Sequence, residues 1–235
     1  MQVRMGSTRF HGKVLKKILG KPSLIHSIER VKRMKTVDNI IIATTTLKED
    51  DIIARAVKDY DRNIGIYRGK SEDVLDRYYQ AAKEVKANVI VRLTSDNPLI
   101  DSQVSDLVVK TFLENECDYC CNNLPQTFPI GLDTEVFSFG SLKKMWKGAK
   151  KQHEREHVTP YIRENVNKFS IINVENDTNL SHMRWTMDYK EDFDFINAVY
   201  EKLYQRKKNF FMNDVLELLN NEPDLCEINK IHVKK

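Results

Sequence analysis

The sequence has little that would place the protein in a membrane or in an oxidising compartment. No apolar run approaches the ~20 residues that a membrane-spanning helix needs, and the N-terminus lacks the apolar core of a signal peptide. Only four cysteines occur, and three of them crowd together at positions 117, 120 and 121, which gives no spaced disulfide framework. We therefore expect a cytoplasmic protein with no membrane partner.

Glycine and proline are also scarce, with 8 and 6 residues among 235. No stretch rich in Gly, Pro or Ser separates two domains, and no internal repeat or low-complexity segment occurs. A chain of this length can build one large core without staples. The sequence predicts a single domain over 1–235, in which 120–180 forms an extension for substrate binding or dimerisation, and we expect a homodimer.

The charges show no excess of one sign in any arm of the chain. The 38 Lys and Arg and the 34 Asp and Glu are spread along the whole length, for a net charge of +4. This distribution favours small anionic substrates over duplex nucleic acid, which usually selects a basic patch or stripe. We expect no nucleic-acid partner.

Short β-branched runs alternate with segments of helical spacing through the first half of the chain. The predicted strands cover 39–44, 64–67 and 89–93, and the predicted helices cover 50–60, 72–85 and 103–113. This alternation is typical of a three-layer α/β fold with a mostly parallel sheet. Most of the first strand that such a sheet requires is missing, because only Met1 to Val3 precede a Gly-containing basic loop.

The regular alternation of predicted strands and helices ends at Asp118, and after it we expect a small mixed extension of the sheet. Predicted strands cover 134–138, 169–174 and 184–187, and amphipathic helices cover 192–204 and 211–219. The tail after Pro223 has no clear periodicity and is predicted to be loosely attached.

The segment from Arg4 to Lys13 (RMGSTRFHGK) is typical of a phosphate-binding loop. Its glycines and hydroxyls allow backbone N–H groups to approach phosphate oxygens, and its cations can neutralise a leaving pyrophosphate. It is not a Walker loop, because Val14 follows the lysine where a magnesium-binding Ser or Thr is required. A basic surface turn has the same composition and remains an alternative.

Two aspartates are candidate magnesium ligands. Asp96 follows the predicted strand 89–93, at the carboxyl edge where open α/β sheets bind ligands, and Asp188 follows a second apolar run. Magnesium prefers one or two carboxylates together with phosphate oxygens, so the two residues can share one ion. The alternative for each is an aspartate that caps a helix or turn.

Two polar loops are candidates for binding a sugar. One holds Asp133 and Glu135, and the other holds Glu156 and His157. Polar loops are common on protein surfaces, so composition alone does not separate a binding site from ordinary surface.

The stretch from His153 to His157 (HEREH) also matches the H-E-x-x-H pattern of zinc peptidases. Its flanks are short and polar, and no third ligand follows at a recognised spacing, so a chance match is favoured. The Cys117-x-x-Cys120 pair lacks a partner pair, which favours small buried residues at the start of a strand over a metal site.

Ordered motifs along nearly the whole chain resemble the cytidylyltransferase family of spore coat polysaccharide biosynthesis protein F. That family is related to the acylneuraminate and 3-deoxy-manno-octulosonate cytidylyltransferases. The motifs that carry the resemblance are RMGSTR at 4–9, GKVL at 12–15, GKP at 20–22, YRG at 67–69, EDVLDRY at 72–78, RLTSDNPLID at 92–101, GLDTE at 131–135, EREHVTPY at 154–161 and WTMD at 185–188. Phe10 and His11 depart from the usual Leu-Pro before Gly12.

The resemblance implies a nucleotide-diphospho-sugar transferase fold (Rossmann-like, GT-A-like), a CTP site and Mg²⁺. By motif position, Arg4, Lys13 and Asp96 are the implied catalytic residues, and Asp96 and Asp188 the implied metal ligands. The implied nucleotide-binding set is Arg4, Gly6, Ser7, Lys13, Arg68 and Asp96. The residues predicted to bind the sugar substrate are those of the two polar loops, Asp133, Glu135, Glu156 and His157.

Taken together, these features predict a magnesium-dependent cytidylyltransferase that joins CMP from CTP to a sugar acid or related sugar and releases pyrophosphate. A non-catalytic nucleotide-sugar-binding homologue in a polysaccharide pathway is the alternative, favoured by the short front end. A zinc peptidase is a third reading, which rests on HEREH alone.

Overall fold

The computed structural model describes residues 1–233. The strands are β1 (Lys17–Ile18), β2 (Lys21–Pro22), β3 (Ile41–Thr45), β4 (Gly65–Gly69), β5 (Val89–Arg92), β6 (Tyr119–Cys121), β7 (Glu135–Ser138) and β8 (Ile171–Asn173). The α-helices are α1 (Ser23–Val31), α2 (Asp51–Tyr60), α3 (Val74–Glu84), α4 (Ser102–Glu114), α5 (Phe139–Gly148), α6 (Gln152–His157), α7 (Pro160–Glu164), α8 (Lys190–Leu203) and α9 (Met212–Asn221). Short 3₁₀ turns lie at Lys13–Leu15, Lys48–Asp50, Pro223–Glu227 and Lys230–His232.

The central sheet is mostly parallel, with one reversed strand. β3 pairs with β4 in parallel, and a second group has the order β5-β7-β6-β8, in which β7 runs antiparallel to both neighbours. Gln2 joins the two groups, because it bridges Ala43 of β3 on one side and Thr94, just beyond β5, on the other. The carboxyl ends of β3, β4 and β5 therefore share one edge of the sheet.

Helices cover both faces of this sheet, as the alternating βα pattern predicts. Along β6 and β7, Cys120 and Val136 point into a core shared with α1, α2 and α4, while Tyr119, Cys121 and Phe137 point into a core shared with α3, α5 and α7. Successive strand residues face opposite sides, which gives the two layers from one continuous apolar run. Of the pair Cys117 and Cys120, Cys120 is fully buried in β6 as expected, whereas Cys117 precedes that strand and is only partly buried.

A third core lies under the C-terminal helices. Trp185 and Met187 are buried there against Phe195 and Val199 of α8 and Val215 of α9. The predicted strand at 184–187 is wrong. This run makes only an isolated bridge between Arg184 and Ile130, because its apolar residues are buried by packing against helices rather than in a strand ladder.

Residues 223–233 of the C-terminal tail also differ from their prediction, because they pack against the rest of the protein, while the last two residues of the tail lie outside the described residues. This segment forms two 3₁₀ turns, its Leu225 and Ile228 pack against the third core, and Asn229 is buried. The segment is short and carries charged residues between its apolar ones, yet each of these contacts ties it to the rest of the protein. No helix among residues 1–233 is both long and apolar enough to span a lipid bilayer.

Met1 to Val3 occupy the place of the first strand at its carboxyl end only. The amide of Gln2 donates to the Leu93 carbonyl, the amide of Val3 donates to the Ala43 carbonyl, and the Met1 amine donates to the Ile41 carbonyl at 2.7 Å. Next to Met1, the remaining space between β3 and β5 is a cavity of about 410 Å³, and its lining is mostly apolar. This space beside Met1 is the only part of the edge between β3 and β5 among residues 1–233 that Met1 to Val3 do not fill.

Candidate active site

Lys13, Asp96 and Asp188 meet at the carboxyl edge of the sheet. The Lys13 Nζ atom lies 2.8 Å from Asp96 Oδ2 and 2.8 Å from Asp188 Oδ1. The loops that carry the two carboxylates are joined directly, because the Met187 amide donates to the Asp96 carbonyl at 2.8 Å. The predicted proximity of the two aspartates is confirmed, while their role as metal ligands stays a prediction.

Neither aspartate has the capping role that the alternative reading assigned to it. The helix after Asp96 is capped by Asp101, whose carboxylate accepts from the amides of Gln103 and Val104. The helix after Asp188 begins with a capping arrangement made by Asp192. Asp96 and Asp188 therefore do not cap these helices, and both carboxylates accept hydrogen bonds from the Lys13 ammonium.

The basic loop before this cluster is anchored by Asp50, a residue that the sequence did not identify as functional. Asp50 is fully buried, and its carboxylate accepts from the Met5 amide at 2.7 Å and from the Thr45 hydroxyl. Gly12 has a φ of 65°, a left-handed conformation that favours glycine, and it directs the chain into the short turn that carries Lys13. Buried carboxylates have no hydropathy signature, so Asp50 was read only as the start of a helix.

Lys13 is buried, with 7% of its surface exposed, so the loop is not an ordinary basic surface turn. Burial alone would lower the pKa of Lys13, but the carboxylates of Asp96 and Asp188 outweigh it and hold that pKa above its usual value. Two further cations of the loop contact acids, with Arg9 3.0 Å from Asp188 and Arg4 3.9 Å from Glu156. Arg4, Arg9 and Lys13 thus each contact a carboxylate.

Asp188 is oriented by Arg184 and Asp192, which the sequence did not single out. Arg184 donates to Asp188 Oδ2 at 3.0 Å and to both carboxylate oxygens of the fully buried Asp192. Burial would raise the pKa of Asp188, but Lys13, Arg184 and Arg9 together hold it below its usual value. Asp188 therefore stays ionised and has a fixed orientation.

The chemistry of this donor set fits magnesium. Two carboxylates converge on one point, and the cation found between them is the Lys13 ammonium, which marks the point as favourable for positive charge. Hard oxygen ligands from one or two carboxylates are those that Mg²⁺ uses beside phosphates. Asp96 and Asp188 would hold the ion, which would neutralise charge on the phosphates when bound.

Gly6 and Ser7 lie in the basic loop next to Met5, whose amide binds Asp50. The Arg68 side chain makes its contacts at another part of the same sheet edge. A side chain at Gly6 would come within 3.3 Å of Glu49, and the Ser7 amide donates to the Met5 carbonyl. The Arg68 guanidinium donates to the carbonyls of Thr45 and Leu47 and pairs with Asp51, so it fixes the loop after β3. The nucleotide-binding roles of these residues stay predictions.

Glu135 lies behind the site rather than on its surface. It is 3% exposed, and its carboxylate pairs with Arg92 and Arg163 and accepts from the hydroxyls of Tyr119 and Thr159. Burial would raise the pKa of Glu135, but the two arginines hold it below its usual value. The predicted contact with substrate would have to displace one of these partners.

Asp133 is half-buried, and its Oδ1 atom accepts from Gln126 Nε2 at 3.0 Å. Burial raises the pKa of Asp133 to about 6, and the Glu135 carboxylate adds to that shift. Gly131 sets the position of this loop, because at a φ of 112° a Cβ atom would come within 2.7 Å of the backbone at Trp185 and Thr186. Asp133 thus lies on a loop packed against the segment that leads to Asp188.

Glu156 and His157 end the short helix α6 on the outer side of the site. His157 is exposed, and Glu156 reaches toward Arg4 of the phosphate loop. Val158 follows with a φ of 73°, and the Thr159 amide donates to the His157 carbonyl, which together make a strained three-residue turn. The turn places His157 outside and Thr159 inside, against Glu135.

The zinc reading of HEREH gains no support from the geometry. The metal-compatible group found among residues 1–233 contains His153, Glu154 and Glu164, but not His157. Lys151 lies 3.2 Å from Glu164 and 3.8 Å from Glu154, so an ammonium already neutralises the two acids. The two histidines of the motif do not converge.

The sequence pattern of the cytidylyltransferase family matches residues 1–219. The chain belongs to this family. It is 33% identical to the spore coat polysaccharide biosynthesis protein SpsF of Bacillus subtilis (strain 168), over 95% of this chain and 94% of that protein. It is also 35% identical to a 3-deoxy-manno-octulosonate cytidylyltransferase of Geobacter sulfurreducens, over 48% of this chain and 43% of that one.

A solved structure of a cytidylyltransferase from Leptospira borgpetersenii superposes with a TM-score of 0.91 and is 33% identical. The match covers 96% of this chain and 94% of that one. The predicted fold class, an α/β nucleotidyltransferase-like fold with parallel strands in its sheet, is thereby confirmed. The predicted family is confirmed as well, and the site at the carboxyl edge is the candidate active site of this cytidylyltransferase family member.

Proposed function

We propose that the protein transfers a cytidylyl group from CTP to a sugar acid or related sugar, with magnesium and with release of pyrophosphate. The observation that carries the proposal is the convergence of Lys13, Asp96 and Asp188 at one point of the sheet edge. The family and the names of the relatives supply the cytidine nucleotide and the sugar class. A polysaccharide pathway in the cytoplasm is the setting that fits them.

The reaction exchanges one bond at phosphorus for another. An acceptor oxygen attacks the α-phosphorus of CTP, the bond to the β-phosphate bridging oxygen breaks, and pyrophosphate leaves with that electron pair. The acceptor proton passes to solvent or to a nearby base. No covalent enzyme intermediate is required, so the protein acts through positioning and charge.

The residues of the site have distinct parts in this scheme. Lys13 would leave the carboxylates and contact the triphosphate, and Arg4 and Arg9 would do the same from the exposed side of the loop. Asp96 and Asp188 would then hold magnesium at the place where Lys13 now lies. Binding of nucleotide and metal thus exchanges internal ion pairs for new ones.

The acceptor would bind beside the loop that carries Asp133 and the end of α6 that carries Glu156 and His157. Both segments border the cluster, since Gly131 packs on the backbone at Trp185 and Glu156 reaches Arg4. Polar groups of this kind suit the hydroxyls of a sugar.

Pyrophosphate release, measured with each of four nucleoside triphosphates against sugar acids and sugar phosphates, tests the proposal. We expect turnover with CTP and magnesium, and its loss in Asp96→Asn and Asp188→Asn. Asp194→Asn is a matched control, because that side chain is 40% exposed on α8 and forms an i,i+4 ion pair with the exposed Lys190, away from Asp96 and Lys13. Binding of CTP without any turnover would favour a non-catalytic homologue instead.

A further inference from the structure

Asn229, in the C-terminal segment, reaches into the interior beside the candidate active site. It is 3% exposed and lies between two short 3₁₀ turns. Its Nδ2 atom donates to the Arg184 carbonyl at 2.9 Å and to Asp192 Oδ1 at 3.0 Å. An amide nitrogen has two hydrogens, so both donors are used.

Asp192 is the centre on which this contact acts. Its carboxylate is fully buried and accepts from two nitrogens of Arg184 at 2.9 Å and from the amides of Asp188 and Tyr189 at 2.9 and 3.0 Å. A carboxylate offers about four lone-pair sites. The two sites of Oδ1 are taken by Arg184 Nε and Asn229 Nδ2, and Oδ2 accepts from Arg184 Nη2 and the two backbone amides, which fixes the backbone at Asp188.

Arg184 carries the constraint on to the Asp188 side chain. Its Nη2 atom holds Asp188 Oδ2 at 3.0 Å, which leaves Asp188 Oδ1 for Lys13. Asn229 constrains Arg184 at two points. It donates to the Arg184 carbonyl, and it donates to the Asp192 carboxylate that pairs with the Arg184 guanidinium. The orientation of Asp188 therefore depends on a side chain 41 positions later in the chain.

We propose that Asn229 is a positioning residue for Asp188, and that the C-terminal segment completes the metal-binding side of the active site. This inference rests on the proposed function, since it assigns Asp188 to the metal. Loss of the amide leaves a buried carbonyl and a buried carboxylate oxygen each short of a donor, which loosens Arg184 and with it Asp188.

The segment also has a packing role that a test must separate from this one. Leu225 packs against the third core but makes none of the hydrogen bonds around Asp192. Leu225→Ala therefore loosens the segment through lost packing alone, whereas Asn229→Ala removes the hydrogen bonds. Asn220→Ala, at an exposed position of α9, controls for the loss of an asparagine.

The experiment measures Mn²⁺ affinity without nucleotide, by electron paramagnetic resonance, together with the melting temperature and the Mg²⁺ dependence of turnover. We expect Asn229→Ala to weaken Mn²⁺ binding about tenfold, as for other residues that support a metal ligand, and to regain turnover at high Mg²⁺. Asn229→Asp, which sets a second carboxylate beside Asp192, should weaken it further. Leu225→Ala should lower the melting temperature but keep wild-type Mn²⁺ affinity.

Equal Mn²⁺ affinity in wild type and Asn229→Ala, with wild-type turnover intact, would overturn this inference and leave the proposed function standing. Equal losses in Asn229→Ala and Leu225→Ala would also overturn it, because the segment would then act through packing alone. A wild-type protein that neither binds Mn²⁺ nor releases pyrophosphate would overturn both.

Discussion

Lys13 and Asp188 are 175 positions apart in the chain, and the Lys13 ammonium lies 2.8 Å from Asp188 Oδ1. The same ammonium contacts Asp96, so one buried cation joins the phosphate loop, the edge of the parallel sheet and the start of α8. Removing this cation should affect binding of nucleotide, binding of metal and stability in separable ways.

Lys13→Met should lower kcat/KM for CTP by at least about a hundredfold, because a preorganised cation on the phosphates is lost. It should also destabilise the metal-free protein, since Asp96 and Asp188 then face each other without a counter-charge. Mg²⁺ should raise the melting temperature of the variant more than that of wild type, because the ion replaces the ammonium. Scanning calorimetry with and without Mg²⁺ measures this.

Lys17→Met is the matched control, because Lys17 is exposed on β1. It should change neither CTP kinetics nor the response to Mg²⁺. If Lys13→Met kept full turnover while losing its melting transition, Lys13 would be a structural residue only.

Asp133→Asn should make the protein more stable at neutral pH and less active. Burial raises the pKa of Asp133 from 3.8 to about 6, so between these values the folded state binds more protons than the unfolded state. Stability is therefore lost as the pH rises through this window, and asparagine removes the loss. The melting temperature of the variant should exceed that of wild type at pH 7.5 and match it at pH 4.

The same substitution should raise KM for the sugar acceptor while CTP binding is unchanged, if Asp133 contacts the acceptor. Asp177→Asn, at an exposed position, should shift neither quantity. A pH-independent stability difference would contradict the assignment of the shifted pKa to Asp133.

Glu135→Gln should cost about 3–5 kcal/mol of unfolding free energy, because it removes the charge that Arg92 and Arg163 share in the interior. The two arginines hold the pKa of Glu135 below its ordinary value of 4.5, in spite of burial. Its stabilisation is thus present above about pH 4.5 and is lost as the pH falls further.

Urea unfolding between pH 3 and 7 checks this, with Glu164→Gln as a control on an exposed helix end. The difference between wild type and Glu135→Gln should shrink on acidification. A constant difference would mean that Glu135 acts through packing and not through its charge.

An extension of six apolar β-branched residues before Met1 should raise the melting temperature by filling the cavity between β3 and β5. Backbone groups of alternate residues in β5 face this space, since Leu93 uses its carbonyl to bind Gln2 on the same side. An extension of Gly and Ser with equal length should give a smaller increase.

Both extensions should also remove a pH dependence of stability. Burial, with a contribution from Arg92, lowers the pKa of the Met1 amine from 8.0 to about 5. Between these values the unfolded amine binds a proton that the folded one does not, so stability rises with pH across the window. Equal melting temperatures for the apolar and the Gly-Ser extensions would show that the cavity accepts no added strand.

The βα units were predictable because a strand buried on both faces is a continuous apolar run, as at 40–43, and each such strand is followed by a segment of helical spacing. The same rule wrongly predicted a strand at 184–187. Trp185 and Met187 are buried by α8 and α9, and burial alone does not reveal which neighbour provides it. The rhythm of apolar residues thus predicts burial more reliably than hydrogen-bonded pairing.

Within the site, the motifs correctly predicted that Asp96 and Asp188 lie close together, and Lys13 lies between them. The motifs did not predict which of the polar residues are buried. Glu135 lies among arginines and hydroxyls supplied by three distant segments, and Asp50 and Asp192 are buried because of partners elsewhere in the chain. A buried carboxylate is defined by these partners, and a single sequence does not show which residues they are.

The place of β7 has a kinetic consequence. β7 lies between β5 and β6 in the sheet but follows both of them in sequence. During folding, β5 and β6 must therefore stay one strand's width apart until residues 135–138 insert between them. Any compact form that precedes this insertion carries two open edges in the middle of the molecule, where wrong pairings and association between chains begin. Closing the sheet also sets Glu135 between Arg92 and Cys121, so the register of the insertion is fixed by a charge that only the correct alignment can satisfy.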